Sequence, residues 1–288
     1  MALSGLQSGL TSGRHQGIKT GRGMSNMLVG KHGGISNGIS NKNKMQDPEI
    51  WTGVNAPIVY WNSEYCTVNS SGNLLTITNL SNRSNPGALS VGSDPNKSND
   101  VVNNKASLTF DTTDYVSGGS LTGNDASIML VFNLNTTSTA DLCTYIFTSV
   151  FDSIGDIYIQ SVGGNTIQTT LIGNPTTNTS VYQTPSNLIQ GRWYILTAKF
   201  RLYQPNGIGS EQELYINGTK QNIVPVTTSY TGLSTDAFQT TSFFFGGNSS
   251  QTRGGNKIAT ALTFDYWINE SEQIRLENYF KWYYGCNF

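Results

Sequence analysis

From about Asp47 onward, the sequence alternates between short runs rich in Val, Ile, Thr, Tyr and Phe and clusters of Gly, Asn, Ser and Pro. Such runs are typical of β-strands, and the clusters between them are typical of turns. The predicted strands are Ile58–Trp61, Leu74–Asn79, Ala88–Val91, Ala106–Phe110, Ala126–Leu134, Thr144–Val150, Asp156–Val162, Thr166–Ile172, Trp193–Leu202, Glu213–Ile216, Ser242–Gly246 and Thr260–Trp267. About a dozen strands with few helices predict an all-β fold, in which two sheets pack as a sandwich or jelly roll.

The run Trp193–Leu202 is the longest clear strand, and its alternation predicts which side chains share a face. One face carries Tyr194, Leu196, Ala198, Phe200 and Leu202, and the other carries Trp193, Ile195 and Thr197. Farther along, Asn217 and Gly218 stand between two strand-like runs. Both residues accept a positive φ, so they predict a two-residue type I′ hairpin.

The last part of the chain predicts a helix that packs back on the sandwich. Asn269 followed by Glu272 fits an N-cap residue with a glutamate at the N3 position. Apolar side chains then recur at helical spacing, at Leu276, Tyr279, Phe280 and Tyr283. Gly285 is suited to end the helix in the left-handed conformation.

Charge divides the chain into two parts. Only 12% of the residues are charged and the net charge is −1, whereas ordinary domains contain about 25% charged residues. Residues 1–46 carry six basic residues and no acid, and the remainder carries 11 of the 17 basic residues and all 18 acidic ones. We therefore predict a basic arm, residues 1–46, followed by an acidic domain, residues 47–288. With 11% aromatic residues, the chain as a whole does not have the composition of a disordered protein.

The arm contains a four-residue glycine repeat, SGLQ-SGLT-SGRH-QGIK-TGRG, that returns as GGISNGIS. The arm is too polar and glycine-rich to bury a core of its own, so three interpretations remain: a flexible tail, an assembly anchor that becomes ordered on a partner, or a nucleic-acid-binding segment. The anchor interpretation is favoured, because Gly allows close backbone approach and the apolar residues recur periodically. The predicted assembly residues are Gly5, Leu6, Gly9, Leu10, Gly13, Arg14, Gly17, Ile18, Gly21, Arg22, Gly34, Ile35, Gly38 and Ile39. Nucleic-acid binding is disfavoured because no aromatic side chain is interleaved for base stacking.

Targeting and metal-binding signals are weak. No window has the roughly 18 consecutive apolar residues of a membrane-spanning helix, and the N-terminus does not have the pattern of a secretory signal. Cys66, Cys143 and Cys286 are far apart and odd in number, which favours free thiols over disulfides or a zinc site. We expect no cofactor; oxygen-rich loops leave calcium as a weaker alternative, with Asp152 and Asp156 as the candidate ligands.

At this point the order of motifs resembles the concanavalin A-like lectin/glucanase sandwich, in its laminin-G-like branch found in bacterial surface and phage proteins. The resemblance covers roughly residues 50–285, and its most specific part is the C-terminal segment. The residues that carry it are Ser107–Val116, Ala126–Leu134, Trp193–Phe200, Leu214–Gly218, Phe243–Gly247, Ile258–Glu272 and Arg275–Gly285. Two departures stand out: Thr260 occupies a position where the family often has an acid, and residues 1–46 have no counterpart.

The resemblance implies a jelly-roll sandwich but does not decide between lectins, glycosidases, adhesins and virion proteins. The glycosidase branch carries closely spaced acids on one strand, and retaining hydrolysis needs two carboxyls about 5–5.5 Å apart. Glu211 and Glu213 are two such acids, but they lack a third. Both histidines, His15 and His32, lie in the arm, so we expect no enzyme activity. For a lectin, the candidate glycan contacts are Tyr182, Tyr203 and Tyr230, with Trp51 as a further aromatic.

The sequence therefore predicts a virion structural protein, such as a capsid decoration, head fibre or tail-associated attachment module. The arm would dock it to other virion proteins and to copies of itself, and the lectin-like sandwich would face outward, where it could contact a host-surface glycan. We expect no membrane partner and a location in the virus particle. The alternative is a carbohydrate-binding lectin or adhesin of a bacterial surface, and the third and weakest hypothesis is a glycan-cleaving enzyme.

Overall fold

The structure is a computed structural model. It describes residues 48, 51, 55–84, 86–101, 104–111, 113–121, 123–134, 139–146, 156–163, 165–172, 179–185, 188–202, 211–228, 238, 242–247 and 255–285. The predicted boundary after residue 46 lies outside this part of the chain and stays a prediction.

Among the described residues, eighteen strands and one α-helix form the fold. The strands are β1 (Val59–Asn62), β2 (Cys66–Val68), β3 (Leu74–Ile77), β4 (Ser90–Gly92), β5 (Asn96–Val101), β6 (Lys105–Thr109), β7 (Tyr115–Gly118), β8 (Asp125–Asn133), β9 (Ala140–Ile146), β10 (Ile157–Val162), β11 (Thr166–Ile172), β12 (Thr179–Gln183), β13 (Trp193–Arg201), β14 (Glu211–Ile216), β15 (Thr219–Lys220), β16 (Val224–Thr228), β17 (Ser242–Phe245) and β18 (Lys257–Phe264). The helix is α1 (Glu270–Tyr284). A 3-10 turn, Ser63–Tyr65, follows β1.

Two large antiparallel sheets make up the sandwich. In the first sheet the order is β15-β14-β13-β8-β18-β6-β5, and β1 pairs with the other half of β18. In the second sheet the order is β16-β12-β11-β10-β9-β17-β7-β4. A separate pair, β2-β3, forms a small two-stranded sheet. This architecture confirms the predicted all-β sandwich.

The core between the sheets follows from side chains that alternate along each strand. On β13, Leu196, Ala198 and Phe200 point into this core, whereas Ile195 lies in a second cluster, as the alternation predicts. Trp61 of the first sheet meets Phe245 of the second edge-to-face, with ring centroids 5.7 Å apart. Edge-to-face contacts of this kind are worth about 0.5–1.5 kcal/mol beyond the buried area.

The second cluster lies between the first sheet and helix α1. It joins Met129 and Val131 of β8 to Leu276 and Phe280 of the helix, so the centre of the first sheet is buried on both faces. The predicted helix ends are confirmed. Asn269 and Glu272 form a capping box, and Gly285 ends the helix with φ +63°.

The predicted Asn217-Gly218 turn is also confirmed, since both residues have positive φ, +54° and +86°. The strand predictions were incomplete: β2, β5, β7, β12 and β16 were not predicted, and β9 and β18 begin four and three residues earlier than expected. The missed strands are short or polar, such as Asn96–Val101, and Asn and Asp are depleted in strands. Their pairing is decided by neighbouring strands and not by their own composition.

Two further observations bear on the chain's class. Cys66 and Cys143 are free thiols, as predicted, whereas Cys286 lies outside the described residues. In the part of the chain that is described, no helix is both long and apolar enough to cross a membrane.

Candidate functional site

The face of the second sheet that points away from the first sheet presents a mixed surface of rings and amides. Ile157 and Ile159 of β10 belong to the core between the sheets, so the alternate residues Tyr158 and Gln160 point the other way. We call this surface the outer face; the strand registers add its other members, Tyr115, Asp141, Gln168, Thr170, Val181, Gln183 and Phe244.

Three glutamines lie side by side across three neighbouring strands of the outer face. Gln160 of β10 is in register with Gln168 of β11, and Gln168 is in register with Gln183 of β12. Directly opposed residues in antiparallel strands have Cβ atoms about 4.5–5.5 Å apart. The three residues therefore form a continuous row of side-chain amides, which we call the amide row.

The members of the amide row differ in their hydrogen bonding. The Gln160 Nε2 atom donates to Asp141 Oδ1 at 2.8 Å, and both side chains are buried. Gln168 and Gln183 are half-buried, and neither side-chain amide is hydrogen-bonded to a residue that the structure describes. Because each amide has a carbonyl acceptor and two N–H donors, these two side chains are suited to bind a polar ligand.

Aromatic rings line the outer face beside the amide row. Tyr115 and Phe244 are half-buried and meet edge-to-face with their centroids 5.4 Å apart. Tyr158 is 8% exposed and packs in one small cluster with Phe244. Tyr115 and Phe244 therefore keep part of their ring surface exposed, and aromatic surface can contact the apolar C–H groups of a ligand.

Gly92 determines where the Tyr115 ring lies. The two residues are in register on β4 and β7, and a Cβ atom at position 92 would lie 2.0 Å from the Tyr115 ring. Real non-bonded carbon contacts are optimal near 3.5–4.0 Å. The ring therefore rests directly on the backbone at Gly92, and any side chain there would displace it.

Two acidic side chains, Asp141 and Asp156, are buried at or beside the outer face. Asp141 is fully buried, and Asp156 is 1% exposed, with its Oδ2 atom accepting a hydrogen bond from the Tyr158 hydroxyl at 3.3 Å. Burial raises the pKa of the nearby Cys143 thiol well above its ordinary value, and the charge of Asp141 raises it further. The thiol therefore stays protonated at neutral pH and is not a reactive nucleophile.

The corresponding face of the first sheet carries a network of paired charges. Arg201 binds Asp125 with its Nε atom 2.8 Å from Oδ1 and Glu211 with its Nη1 atom 3.3 Å from Oε2, and its guanidinium lies 4.7 Å from the Trp267 ring centroid. Lys199, 2% exposed, places its Nζ atom 3.7 Å from Glu213 Oε2. These contacts satisfy the charges inside the protein.

Buried polar contacts continue from this network into helix α1. Glu277 is 3% exposed and its Oε1 atom accepts hydrogen bonds from Thr197 Oγ1 at 2.9 Å and Gln273 Nε2 at 3.0 Å. Burial raises the pKa of Glu277, and the two hydrogen bonds and the neighbouring lysines oppose that rise. Burial likewise lowers the pKa of Lys199, against the effect of Glu213. The hydrogen bond between Thr197 of β13 and Glu277 of helix α1 therefore links the helix to the first sheet.

The acids considered for catalysis belong to this network. Glu211 pairs with Arg201, and Glu213 pairs with Lys199 and also with Lys220. Burial alone would raise the pKa of Glu213, but hydrogen bonds from Lys220 and Tyr215 lower it below its usual value. A general acid needs a raised pKa, so Glu213 is suited to structural pairing.

The predicted glycan contacts do not form a cluster in the described residues. Tyr182 is half-buried on β12 and in register with Thr169, which lies on the core side of β11, so alternation turns Tyr182 away from the outer face. Trp51 is 5% exposed and packs on Phe264, with centroids 5.5 Å apart. Tyr203 and Tyr230 lie outside the described residues.

Of the two predicted calcium ligands, the structure describes only Asp156. Asp156 is buried and hydrogen-bonded to Tyr158, and Asp152 lies outside the described residues. Asp114 accepts backbone N–H groups of Asp94 and Asp111 at 3.1 and 2.9 Å, the contacts of a turn-forming residue. Within the described ranges there is no group of three or more His, Cys, Asp or Glu side chains arranged to hold a metal ion.

The arm residues named from the sequence, Gly5 to Ile39, all lie outside the described residues, so the assembly role stays a prediction. The amide row was missed. Gln160 and Gln168 stand at alternate positions in two predicted strands, and a hairpin drawn between those strands would have brought them together. Gln183 could not be added, because its strand was not predicted.

Comparisons with known proteins identify the fold. The sequence matches no protein-family model and no curated protein. The fold is similar to the botulinum neurotoxin serotype G binding domain (TM-score 0.50, 14% identity, 78% of this chain and 51% of that chain). Similar structures include the serotype D binding domain (TM-score 0.49, 12% identity, 77% and 50%) and the neurotoxin DC binding domain in complex with SialylT (TM-score 0.49, 12% identity, 81% and 52%). The chain spans about half the length of these binding domains.

Proposed function

We propose that the sandwich is a carbohydrate-binding, lectin-like module whose ligand lies on the outer face of the second sheet. One observation carries the proposal: the half-buried amides of Gln168 and Gln183 lie side by side on the sheet, in register with Gln160. Sugar hydroxyls both donate and accept hydrogen bonds, and side-chain amides offer both kinds of partner.

The rings beside the amide row complete the argument for a sugar. Tyr115 and Phe244 offer partly exposed aromatic surface against which the C–H face of a pyranose can pack. A few placed polar groups beside aromatic surface are the usual composition of a small-molecule site. The binding-domain fold shared with serotype G neurotoxin supports a binding role for this sandwich.

A glycan array probed with the full chain tests this function. We expect the wild type to bind at least one neutral oligosaccharide, and the double variant Gln168→Ala/Gln183→Ala to bind it at least about fivefold more weakly. Two hydrogen bonds at about 0.5–1.5 kcal/mol each give a loss of this size. Binding to no glycan on the array would overturn the function.

Two control variants locate the site. Gln221→Ala removes a glutamine beyond β15 of the first sheet, whose Nε2 atom donates to Thr219 O. Trp282→Ala removes the exposed indole at the end of α1, which is 41% exposed. Neither change should weaken glycan binding. If Trp282→Ala abolishes binding while the amide variant keeps it, the ligand binds at the helix and the outer-face site is wrong.

A virion structural role is the second candidate, and the observation that favours it is the basic tetrad repeat of the arm. We propose that this arm docks the sandwich to a virus particle. We also propose that the sandwich belongs to the concanavalin A-like class, which its sequence resembles, and that it has no enzyme activity. Deletion of residues 1–46 should abolish incorporation into particles, and retention of the truncated chain in particles would overturn the role. Measured hydrolysis of a polysaccharide would overturn the absence of catalysis.

A further inference from the structure

A long part of the chain contains no cationic side chain. Between Lys105 and Arg192 there is no Lys, Arg or His. The same stretch contains six aspartates, Asp111, Asp114, Asp125, Asp141, Asp152 and Asp156. Because average domains contain Lys and Arg throughout their sequence, this stretch is strongly biased toward neutral and acidic side chains.

The fold places most strands of this stretch in the second sheet. Five strands of the second sheet, β7 and β9 to β12, come from the cation-free stretch, and the remaining three, β4, β16 and β17, contain no Lys, Arg or His either. By contrast, the first sheet contains six cationic residues, namely Lys97, Lys105, Lys199, Arg201, Lys220 and Lys257. The cations of the described sandwich strands therefore all lie on the first sheet.

The consequence for a ligand concerns desolvation. A carboxylate, sulfate or phosphate held on the outer face would lose hydration water without gaining a cationic partner from the strands beneath it, and a buried charge is costly unless it is paired. Asp141, which lies in register with Gln160, and Asp156 bring no positive charge to this face either. Neutral hydroxyls do not meet this penalty, since Gln168 and Gln183 can satisfy them.

We infer that the outer face selects uncharged glycans and excludes sugars that carry a carboxylate, sulfate or phosphate group. This selectivity rests on the proposed function, because it concerns the ligand of the same site. The specificity follows from where the charges lie. Hydrogen bonding and ring contacts favour binding of any suitable sugar, and the absence of cations from the strands of the second sheet disfavours sugars that carry a negative charge.

Matched oligosaccharides test the inference with the full chain. A neutral oligosaccharide and the same oligosaccharide extended by one sialic acid, or oxidised to a uronic acid, are compared by isothermal titration at low and high NaCl. We expect at least about tenfold tighter binding of the neutral member, which corresponds to about 1.4 kcal/mol, with no dependence on NaCl. Equal or tighter binding of the acidic member would overturn the selectivity and leave the proposed function standing. Binding of neither member contradicts the proposed function itself.

A variant that places one cation on the face sharpens the test. Val181 is half-buried on β12 and in register with Thr170. Val181→Lys should gain affinity for the acidic member in a salt-dependent manner, and Val181→Gln, an uncharged polar control, should not. An equal gain in both variants, or none in Val181→Lys, would contradict the charge argument.

Titrations with Ca²⁺ and with EDTA examine the other route by which an acidic sugar could bind. A bound divalent cation would supply the missing positive charge. We expect the neutral oligosaccharide to bind more tightly than the acidic one both with Ca²⁺ and with EDTA. Tighter binding of the acidic oligosaccharide in the presence of Ca²⁺ would overturn the inference.

Discussion

The two sheets of the sandwich differ in how their faces are buried and in where their charged side chains lie. The first sheet buries both faces of its central strands, with the inter-sheet core on one side and helix α1 on the other. Its residues Lys199 and Arg201 pair with acidic side chains of the same sheet. The second sheet has no cationic residue in any strand, and its outer face carries half-buried amides and rings. The difference teaches that the charged side chains of the first sheet pair within the protein, whereas the proposed function assigns the uncharged polar side chains of the second sheet to a ligand.

The largest stability effect is expected on the first sheet. Lys199→Met removes the buried ammonium group beside Glu213 and near Glu277 while keeping the apolar stem. Glu213 keeps its exposed partner Lys220, but the buried end of the network loses its cation. We expect the free energy of unfolding to fall by about 3 kcal/mol, measured by urea denaturation. The matched variant is Lys220→Met. The Lys220 side chain is 58% exposed and pairs with the same Glu213. Its loss should lower the free energy of unfolding by less than about 1 kcal/mol. Equal losses of unfolding free energy in the two variants would show that burial of Lys199 does not determine its contribution to stability.

The next effect concerns the ring that rests on Gly92. Gly92→Ala adds a methyl group 2.0 Å from the Tyr115 ring, so the ring must move. We expect a loss of about 1–3 kcal/mol in stability, the usual cost of overpacking, together with weaker glycan binding. Tyr115→Ala combined with Gly92→Ala should recover most of the stability lost by Gly92→Ala. No cost in the single variant would show that the ring does not lie over Gly92.

On the second sheet, stability and binding should separate. Gln168→Ala changes a half-buried side chain that has no hydrogen-bond partner in the described structure, so its effect on unfolding should stay within about 0.5 kcal/mol. Its effect on glycan affinity should be several-fold, from one lost hydrogen bond. A large loss of stability would mean that the amide row holds the sheet together, which contradicts its assignment to a ligand.

The smallest effect is a dependence of stability on pH that arises from Glu277 of helix α1 and Glu213 of the first sheet. Burial raises the pKa of Glu277 above its ordinary value of 4.5. As the pH rises past 4.5, the unfolded chain releases this proton before the folded chain does, so the group's contribution to stability declines. Relative to Glu277→Gln, the wild type should lose stability as the pH rises above the ordinary value of 4.5.

Glu213 should show the opposite sign. Its pKa is lowered in the folded chain, so its contribution is present above the ordinary value of 4.5 and is lost as the pH falls through the folded value. Relative to Glu213→Gln, the wild type should therefore lose stability on acidification. Thermal unfolding curves at several pH values measure both effects, and equal slopes for the two variants would contradict the assignment.

Local features of the fold could be predicted because their causes are local. The capping box of Asn269 and Glu272, the Gly285 helix end and the Asn217-Gly218 turn depend on side chains within a few residues of one another. The two faces of β13 follow from strict alternation along one strand. A strand such as β5 could not be predicted, because its short polar sequence becomes a strand only beside its neighbours.

The candidate site could not be predicted because it depends on register between strands. From the sequence, Tyr182 is a predicted glycan contact, and it lies one residue from Gln183. Alternation places adjacent residues on opposite faces, so only Gln183 lies on the outer face beside Gln168. Aromatic residues attract attention in a sequence, whereas a row of glutamines becomes visible only when the strands that carry them are paired.

Amide hydrogen exchange of the full chain, with and without a saturating neutral oligosaccharide, tests the central claim most directly. The account predicts that added protection concentrates in β10, β11 and β12, around Gln160, Gln168 and Gln183, while β13 and helix α1 remain unchanged. Protection confined to the first sheet or to the end of α1 near Trp282, with none in β10 to β12, would contradict it.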